Sequence, residues 1–127
     1  MKILGLYAEL WEDRAGTPVG RIRDFVRDAA GPDEEAVIAY VRSGRELLSV
    51  MGSSEDVLGS GQQILGGDSL YTDGEWVWRG DLWFYLRDYH VQLPLEFLDQ
   101  VRASGYTMPS IPEDRFIELS DALDDII

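Results

Sequence analysis

The chain has 127 residues, of which 45% are hydrophobic, and a formal net charge of −13 at pH 7. This length is typical of one domain with a hydrophobic core, and the hydrophobic share excludes a disordered chain. Because the sequence contains no cysteine, disulfides and thiolate metal sites are excluded as well.

The expected location follows from the N-terminal residues and from the charge. Met1–Trp11 contains one lysine and an early acid, Glu9, and so differs from a signal peptide. No apolar run approaches the roughly 20 residues that a membrane-spanning helix needs. We therefore expect a soluble, cytoplasmic protein, and the negative charge predicts binding neither to nucleic acid nor to an anionic membrane.

The N-terminal third predicts alternating strands and helices. Lys2–Trp11 is apolar without a helix cap, which favours a strand, although its apolar residues also fit helical spacing. Ile22–Ala29 predicts a short amphipathic helix. Asp33–Ser43 predicts a second helix with Asp33 as its N-cap, and Glu46–Met51 predicts a strand.

Residues 52–67 are rich in glycine and serine and predict a surface loop. Within them, Gly59-Ser-Gly61 is the nearest match to a phosphate-binding loop. It lacks the lysine and hydroxyl residue of a P-loop and the third glycine of a dinucleotide fingerprint. We therefore expect neither a nucleotide nor another cofactor.

Ser69–Trp78 predicts a β-hairpin around Asp73-Gly74, a dipeptide that favours a type I′ turn. Residues two apart on a strand share a face, so Trp76 and Trp78 point to the same side. Such a pair either completes the core or forms an exposed binding surface, and both alternatives stay open at this stage.

Two consecutive helices are predicted after the hairpin. Asp81–Tyr89 carries aromatic and aliphatic residues almost all round, which indicates burial on more than one side. Pro94 is expected to open the next helix, and Gly105 to end it. These elements predict an α+β fold, in which about four to five helices pack on a small antiparallel or mixed sheet with an Asp-Gly hairpin.

The C-terminal segment, residues 109–127, predicts an acidic amphipathic helix that completes a single domain spanning residues 1–127. Its apolar residues recur at helical spacing, while acids near its C-terminal end oppose the helix dipole. Its stability should therefore come from docking. It either docks on its own domain or displays an acidic ridge to a basic partner.

Catalytic and metal-binding patterns are weak. His90 is the only histidine, so a cluster of histidine ligands is excluded, and no nucleophile motif accompanies it. The paired carboxylates lack the spacing of a calcium loop. We therefore expect no catalytic residue and no metal site. A carboxylate-dependent hydrolase is a minority alternative, and it would use Asp73, Glu75 and Asp81 beside the tryptophans.

Four strings carry a resemblance that covers most of the chain up to about Gly105. They are Gly5–Trp11, Val37–Gly44, Tyr71–Trp78 and Tyr89–Leu98. They resemble a family of small acidic actinobacterial proteins, mostly uncharacterised, many of whose members carry proline where this chain has Arg79. In size, charge and style the chain also resembles the immunity proteins of bacterial toxin systems.

The sequence favours a non-catalytic protein-binding module, most concretely an immunity-type protein that neutralises a basic toxin domain by occlusion. Aromatic anchors would supply affinity, and acids at the rim would speed association. A structural homo-oligomer and the small hydrolase are the alternatives. The candidate partner-binding residues are Asp73, Glu75, Trp76, Trp78, Asp121, Asp124 and Asp125.

Overall fold

A computed structural model describes residues 1–126 and shows an α+β fold, as the sequence predicts. A mixed four-stranded sheet has the order β1-β6-β5-β2, and β3 and β4 form a separate antiparallel pair. The strands are β1 (Lys2–Ile3), β2 (Arg45–Leu48), β3 (Ser53–Glu55), β4 (Gln63–Leu65), β5 (Leu70–Thr72) and β6 (Trp76–Arg79). The α-helices are α1 (Ala8–Trp11), α2 (Glu34–Arg42), α3 (Leu82–Tyr89), α4 (Leu95–Ala103) and α5 (Glu113–Leu123).

The N-terminal strand is shorter than predicted. β1 ends at Ile3, and Gly5 turns the chain with a φ of +72°. Residues from Ala8 onward form α1, so the helical spacing noted in this segment describes its second half. The prediction of one strand from Lys2 to Trp11 is therefore wrong, because a glycine in the left-handed region interrupts it.

The predicted helix over Ile22–Ala29 is also wrong beyond its first turn. A 3₁₀ helix spans Ile22–Phe25, and Val26 returns to an extended backbone. The Arg27 amide then donates to the Tyr89 carbonyl, and the Gln92 amide donates to the Phe25 carbonyl. These hydrogen bonds to a distant segment replace the helical ones that the sequence pattern predicts.

The predicted helix α2 is confirmed, the predicted strand Glu46–Met51 is confirmed only as far as Leu48, and the predicted capping bond at Asp33 is wrong. Asp33 precedes α2, but its side chain makes no cap hydrogen bond. Its carboxylate instead accepts hydrogen bonds from Arg102 and Tyr106. The Asp33 carboxylate thus accepts hydrogen bonds from two residues distant in sequence and none from the backbone amides of α2.

Residues 52–67 hold strands β3 and β4, so the prediction of a plain loop is wrong. Ile64 is buried, and the Ser54 hydroxyl donates to the Asp81 carboxylate. Gly59-Ser-Gly61 lies in the connection between the two strands. Buried Asp56, which accepts a hydrogen bond from the Tyr89 hydroxyl, also holds this segment, so inward contacts order a stretch whose composition indicates a loop.

The predicted β5–β6 hairpin is confirmed, but its turn differs from type I′. Gly74 has a φ of +99°, whereas Asp73 is outside the positive-φ region. The Asp73 carboxylate accepts hydrogen bonds from the amides of Glu75 and Trp76. A side chain that bonds its own turn therefore replaces the second left-handed residue.

The sheet separates two hydrophobic clusters. One face carries Trp76 and Trp78 and packs against α2 and α4, and the other carries Val77 and packs against α1 and α5. Helix α3 contributes to both clusters, which agrees with its predicted burial on several sides. Leu119 and Leu123 are the buried residues of α5, so this helix docks on its own domain.

The boundaries of α4 agree closely with the predicted ones, whereas α5 begins at Glu113 and is shorter than the predicted segment 109–127. Pro94 stands at the N-cap position of α4, one residue before the helix, and Gly105 follows it with a φ of +64°. Helix α5 ends at Leu123 and a turn continues to residue 126. Ile127, the last residue of the predicted C-terminal helix, lies outside the described residues.

Candidate functional site

Trp76 and Trp78 are buried, with only 5% and 1% of their surface exposed. Their indole nitrogens donate to the Gln100 side chain and to the Val41 carbonyl, at 3.1 Å each. Both rings make edge contacts with Phe97, at centroid distances of 5.7 and 6.2 Å. The prediction that they offer a partner surface is wrong, because they complete the core instead.

Asp73 is 3% exposed and belongs to the same interior. Besides the two turn amides, its carboxylate accepts hydrogen bonds from the Tyr40 hydroxyl at 2.7 Å and from the Gln100 amide at 3.3 Å. Burial, followed by the hydrogen bond to Asp73, raises the pKa of Tyr40. Asp73 thus holds the hairpin to α2 and α4, and its predicted role in contacting a partner is wrong.

Glu75 is exposed and lies on the side of the molecule where α5 begins. The Arg115 guanidinium donates to the Gly74 carbonyl at 2.9 Å, and Ile111 lies against Gly74. The hairpin turn and the first turns of α5 are therefore neighbours. Of the four hairpin candidates, Glu75 alone is exposed, and its carboxylate lies 3.9 Å from the Lys2 ammonium, which also pairs with Glu96.

Helix α5 presents carboxylates to solvent along its outer face. Leu119 and Leu123 fix the inner face, and Asp121 falls on the opposite side by helical geometry. Asp124 and Asp125 lie in the turn that follows the helix and are also exposed. Among residues 1–126, four of these acids have no Lys or Arg in salt-bridge distance: Asp114, Asp121, Asp124 and Asp125.

The three carboxylates of the hydrolase alternative do not share a pocket. Asp81 is fully buried, binds Arg79 in two hydrogen bonds and accepts a third from Ser54. Arg79 also bonds Asp68; although burial disfavours its charge, these acids raise the pKa of the guanidinium. This ion-pair network ties β6 to the start of α3.

His90 ends α3 in the left-handed conformation, with a φ of 53°. Its Nδ1 lies 2.9 Å from the Glu34 carboxylate, and its carbonyl accepts a hydrogen bond from Arg27. The imidazole thus links the end of α3 to the start of α2. The predicted position at the end of the aromatic helix is confirmed.

Residues 1–126 contain no group of three His, Asp or Glu side chains placed to hold a metal ion. None of the helices described there has the length and apolarity needed to cross a bilayer.

The exposure of several aliphatic side chains could not be predicted from the sequence. Val19, Val26 and Leu95 are all solvent-exposed, although they lie in unrelated segments. Single valines and leucines in loops or at helix ends carry no sequence signal of exposure, because the same pattern is typical of core residues.

The chain was compared with protein-family models, with curated proteins and with solved structures. No family model, no curated protein and no solved structure matches it. The functional conclusion therefore depends on the geometry above and on the sequence.

Proposed function

We propose that this chain is a non-catalytic protein-binding module of the immunity type, which neutralises a basic toxin domain by covering it. The observation that carries the proposal is the row of unpaired carboxylates on the outer face of α5 and in the turn after it. Protein carboxylates without a cationic neighbour remain available for a cation from outside. We call this row, together with Glu75, the acidic face; its members are Glu75, Asp114, Asp121, Asp124 and Asp125.

The acidic face suits capture of a basic protein for two reasons. The net charge of −13 attracts a basic partner over distances of about a Debye length, roughly 8 Å at physiological salt. The docked helix then provides a rigid row about 16 Å long for its 11 residues. Inhibition would be steric, since a partner held along this row has part of its own surface covered.

The burial of Trp76 and Trp78 changes the energetics of the proposal. Without exposed tryptophans, few apolar anchors remain beside the acids, and Ile117 on α5 is the exposed one. Charge pairs that stay partly hydrated affect the association rate more than the dissociation rate. Binding should therefore be fast and strongly salt-dependent.

The resemblance to small acidic actinobacterial proteins and to immunity proteins supports the same proposal. Immunity genes lie beside toxin genes, so the protein to test is the product of the adjacent gene. We expect a basic domain, and co-expression with this chain should neutralise its toxicity.

The test compares two variants with equal charge. Asp124→Lys with Asp125→Lys changes the acidic face, and Glu12→Lys with Asp13→Lys changes an exposed acidic pair after α1. Each raises the net charge by four, so general attraction falls equally. We expect titration calorimetry to show about a tenfold weaker affinity for the first variant, or about 1.4 kcal/mol, and less than about a twofold change for the second.

Three results would count against the proposal. The first is an adjacent product that is neutral or acidic. The second is a tight complex whose affinity does not change between low and high salt. The third is an equal loss of affinity in the two variants, which would show that only net charge matters.

A further inference from the structure

A second surface, distant in sequence from the acidic face, is apolar and exposed. Val19 is 64% exposed, Val26 38% and Leu95 66%. They belong respectively to the loop after α1, the end of the 3₁₀ helix and the first position of α4. We call them, with the clefts beside them, the Leu95 surface.

Two clefts flank Leu95. One of about 350 Å³ is almost entirely apolar, and the other measures about 130 Å³. Leu93 and Leu95 line both, so Leu95 is the ridge between them. Further apolar side chains line the first cleft (Ile3, Leu6, Val19, Phe25) and the second (Val37, Leu86, Val91, Leu98).

The Leu95 surface is held rigidly. The chain around Val26 is tied to the segment before α4 by a hydrogen bond of 3.2 Å from Arg27 to Tyr89 and one of 2.8 Å from Gln92 to Phe25. The Tyr7 ring packs against Phe25 at a centroid distance of 5.1 Å. A preformed apolar surface loses little conformational entropy when it is covered.

The exposed charges on the segment that carries Val26 are of both signs, so this segment is neither purely basic nor purely acidic. Arg21, Arg23, Asp24, Arg27 and Asp28 are all exposed. Within residues 1–126, none of these five is in a salt bridge. Three cations and two anions thus lie on one short segment, and none of them has a salt-bridge partner among the described residues.

We propose that the Leu95 surface is the interface of a two-fold symmetric dimer of this chain. A two-fold axis places the same surface opposite itself, so that the aliphatic ridge of one copy faces the clefts of the other. The same operation brings Arg21 and Arg23 of one copy toward Asp24 and Asp28 of its partner. A set that contains both signs is complementary to itself, whereas a set of one sign is not.

The distribution of charge favours this face over others for contact between two acidic copies. Residues 14–28 contain four arginines and two acids, Asp24 and Asp28, whereas residues 81–127 contain three basic and ten acidic side chains. Two molecules of charge −13 repel each other least when such a segment lies between them. The dimer is independent of the proposed function, since neither Glu75 nor α5 belongs to the Leu95 surface.

The first experiment uses sedimentation equilibrium of the full chain in about 0.15 M NaCl, which screens repulsion beyond roughly 8 Å. We expect a concentration-dependent dimer. Leu95→Asp should weaken dimerisation at least about tenfold, because it places a charge in an apolar interface. Leu65→Asp is the matched control, because Leu65 is 86% exposed on β4 and outside the interface, and it should dimerise like the wild type.

The second experiment tests the charge pairing. Arg21→Glu with Arg23→Glu should weaken the dimer, and adding Asp24→Arg with Asp28→Arg to that variant should restore it, because every pair is then inverted. Circular dichroism establishes that each variant is folded. A wild type that stays monomeric to about 0.5 mM, a dimer that tolerates Leu95→Asp, or a fourfold variant without recovery would overturn the proposal.

Discussion

At the scale of single residues, close backbone contacts determine how the two sheets meet. Gly80 follows β6, and a Cβ atom at this position would overlap the carbonyl oxygen of Gly66, which follows β4. The Gly66 amide in turn donates to the Gly52 carbonyl. The absence of a side chain at Gly80 therefore lets the β3–β4 pair approach the start of α3.

Gly80→Ala should destabilise the protein by about 2 kcal/mol or more, since the clash involves backbone that cannot rotate away. Gly31→Ala is the control, because nothing lies within 4 Å of its Cβ position and its φ is not positive. It should change stability by less than about 0.5 kcal/mol. Urea denaturation measures both, and equal effects would contradict the close packing at Gly80.

The carboxyl group of Asp33 should make the free energy of unfolding depend on pH. Hydrogen bonds from Arg102 and Tyr106 lower the pKa of its carboxyl from 3.8 to about 2. Because the folded state favours the ionised form, this stabilisation is complete above about pH 4 and is lost as the pH falls through about 2. Asp33→Asn should therefore be less stable than wild type near neutral pH, with a difference that disappears in acid.

The size of that difference is limited by solvent. Arg102 is 40% exposed in this pair, so the contribution is at most about 1 kcal/mol. Urea denaturation over a pH series measures it, and Asp13→Asn, which removes an exposed acid without an ion pair, should show no such change. A difference that grows as the pH falls would reverse the assigned sign.

At the scale of elements, α5 is stabilised by the packing of its inner face and not by favourable charges at its own ends. Acids occupy both its first turn and its C-terminal end, and no basic residue lies in its last turn to favour the dipole. Arg45 stacks on Phe116, with its guanidinium carbon 3.6 Å from the ring centroid, and pairs with Glu113. Docking therefore stabilises an arrangement of acids that an isolated helix would not favour.

Leu119→Ala should reduce the free energy of unfolding by about 3 kcal/mol, because Leu119 is 1% exposed and its truncation leaves a cavity. Ile117→Ala, on the outer face of the same helix, should cost less than about 0.5 kcal/mol. Thermal and urea denaturation of both variants measure the difference. A similar cost for the two would show that α5 is not docked as described.

Sequence patterns predicted the elements whose stabilising contacts are local. Helices α2, α3 and α4 follow from apolar spacing and from glycine or proline at their ends, and the β5–β6 hairpin follows from one dipeptide. The short strands β3 and β4 were missed, because their order comes from long-range contacts such as Ser54 with Asp81. The end of the 3₁₀ helix was missed because distant backbone partners override local preference.

Within the candidate site, only the exposure of the C-terminal acids could be predicted from the sequence. Acids at positions 121, 124 and 125 are exposed, as their place on a helix predicts. The tryptophans and Asp73 were assigned wrongly, because alternation on a strand gives the shared face and not what covers it. Phe97 and Tyr40, which cover that face, are 21 and 36 residues away from Trp76 in sequence.

At the scale of the whole molecule, charge is the dominant property. The net charge of −13 destabilises the compact state by self-repulsion, and nine salt bridges among the described residues offset only part of it. Salt should therefore stabilise this protein, since screening weakens repulsion between exposed like charges over distances that exceed most ion pairs.

The thermal midpoint should rise by a few degrees between about 10 mM and about 0.3 M NaCl. Glu12→Lys with Asp13→Lys raises the net charge by four, which lowers its magnitude, and should show a smaller rise, because less repulsion remains to be screened. Calorimetry of both proteins over the same salt series tests this. A midpoint that falls with salt would mean that ion pairs outweigh repulsion.

The position of β6 between β1 and β5 constrains how the chain acquires its fold during synthesis. Strand β1 is synthesised before the other strands of its sheet, but the partner of Lys2 is Trp76. Strand β1 is therefore unpaired until the residues up to β6 have been synthesised. An N-terminal fragment that stops before β6 lacks the centre of the sheet and exposes apolar residues that favour aggregation. Folding is thus closer to a single late event than to a gradual process that follows translation.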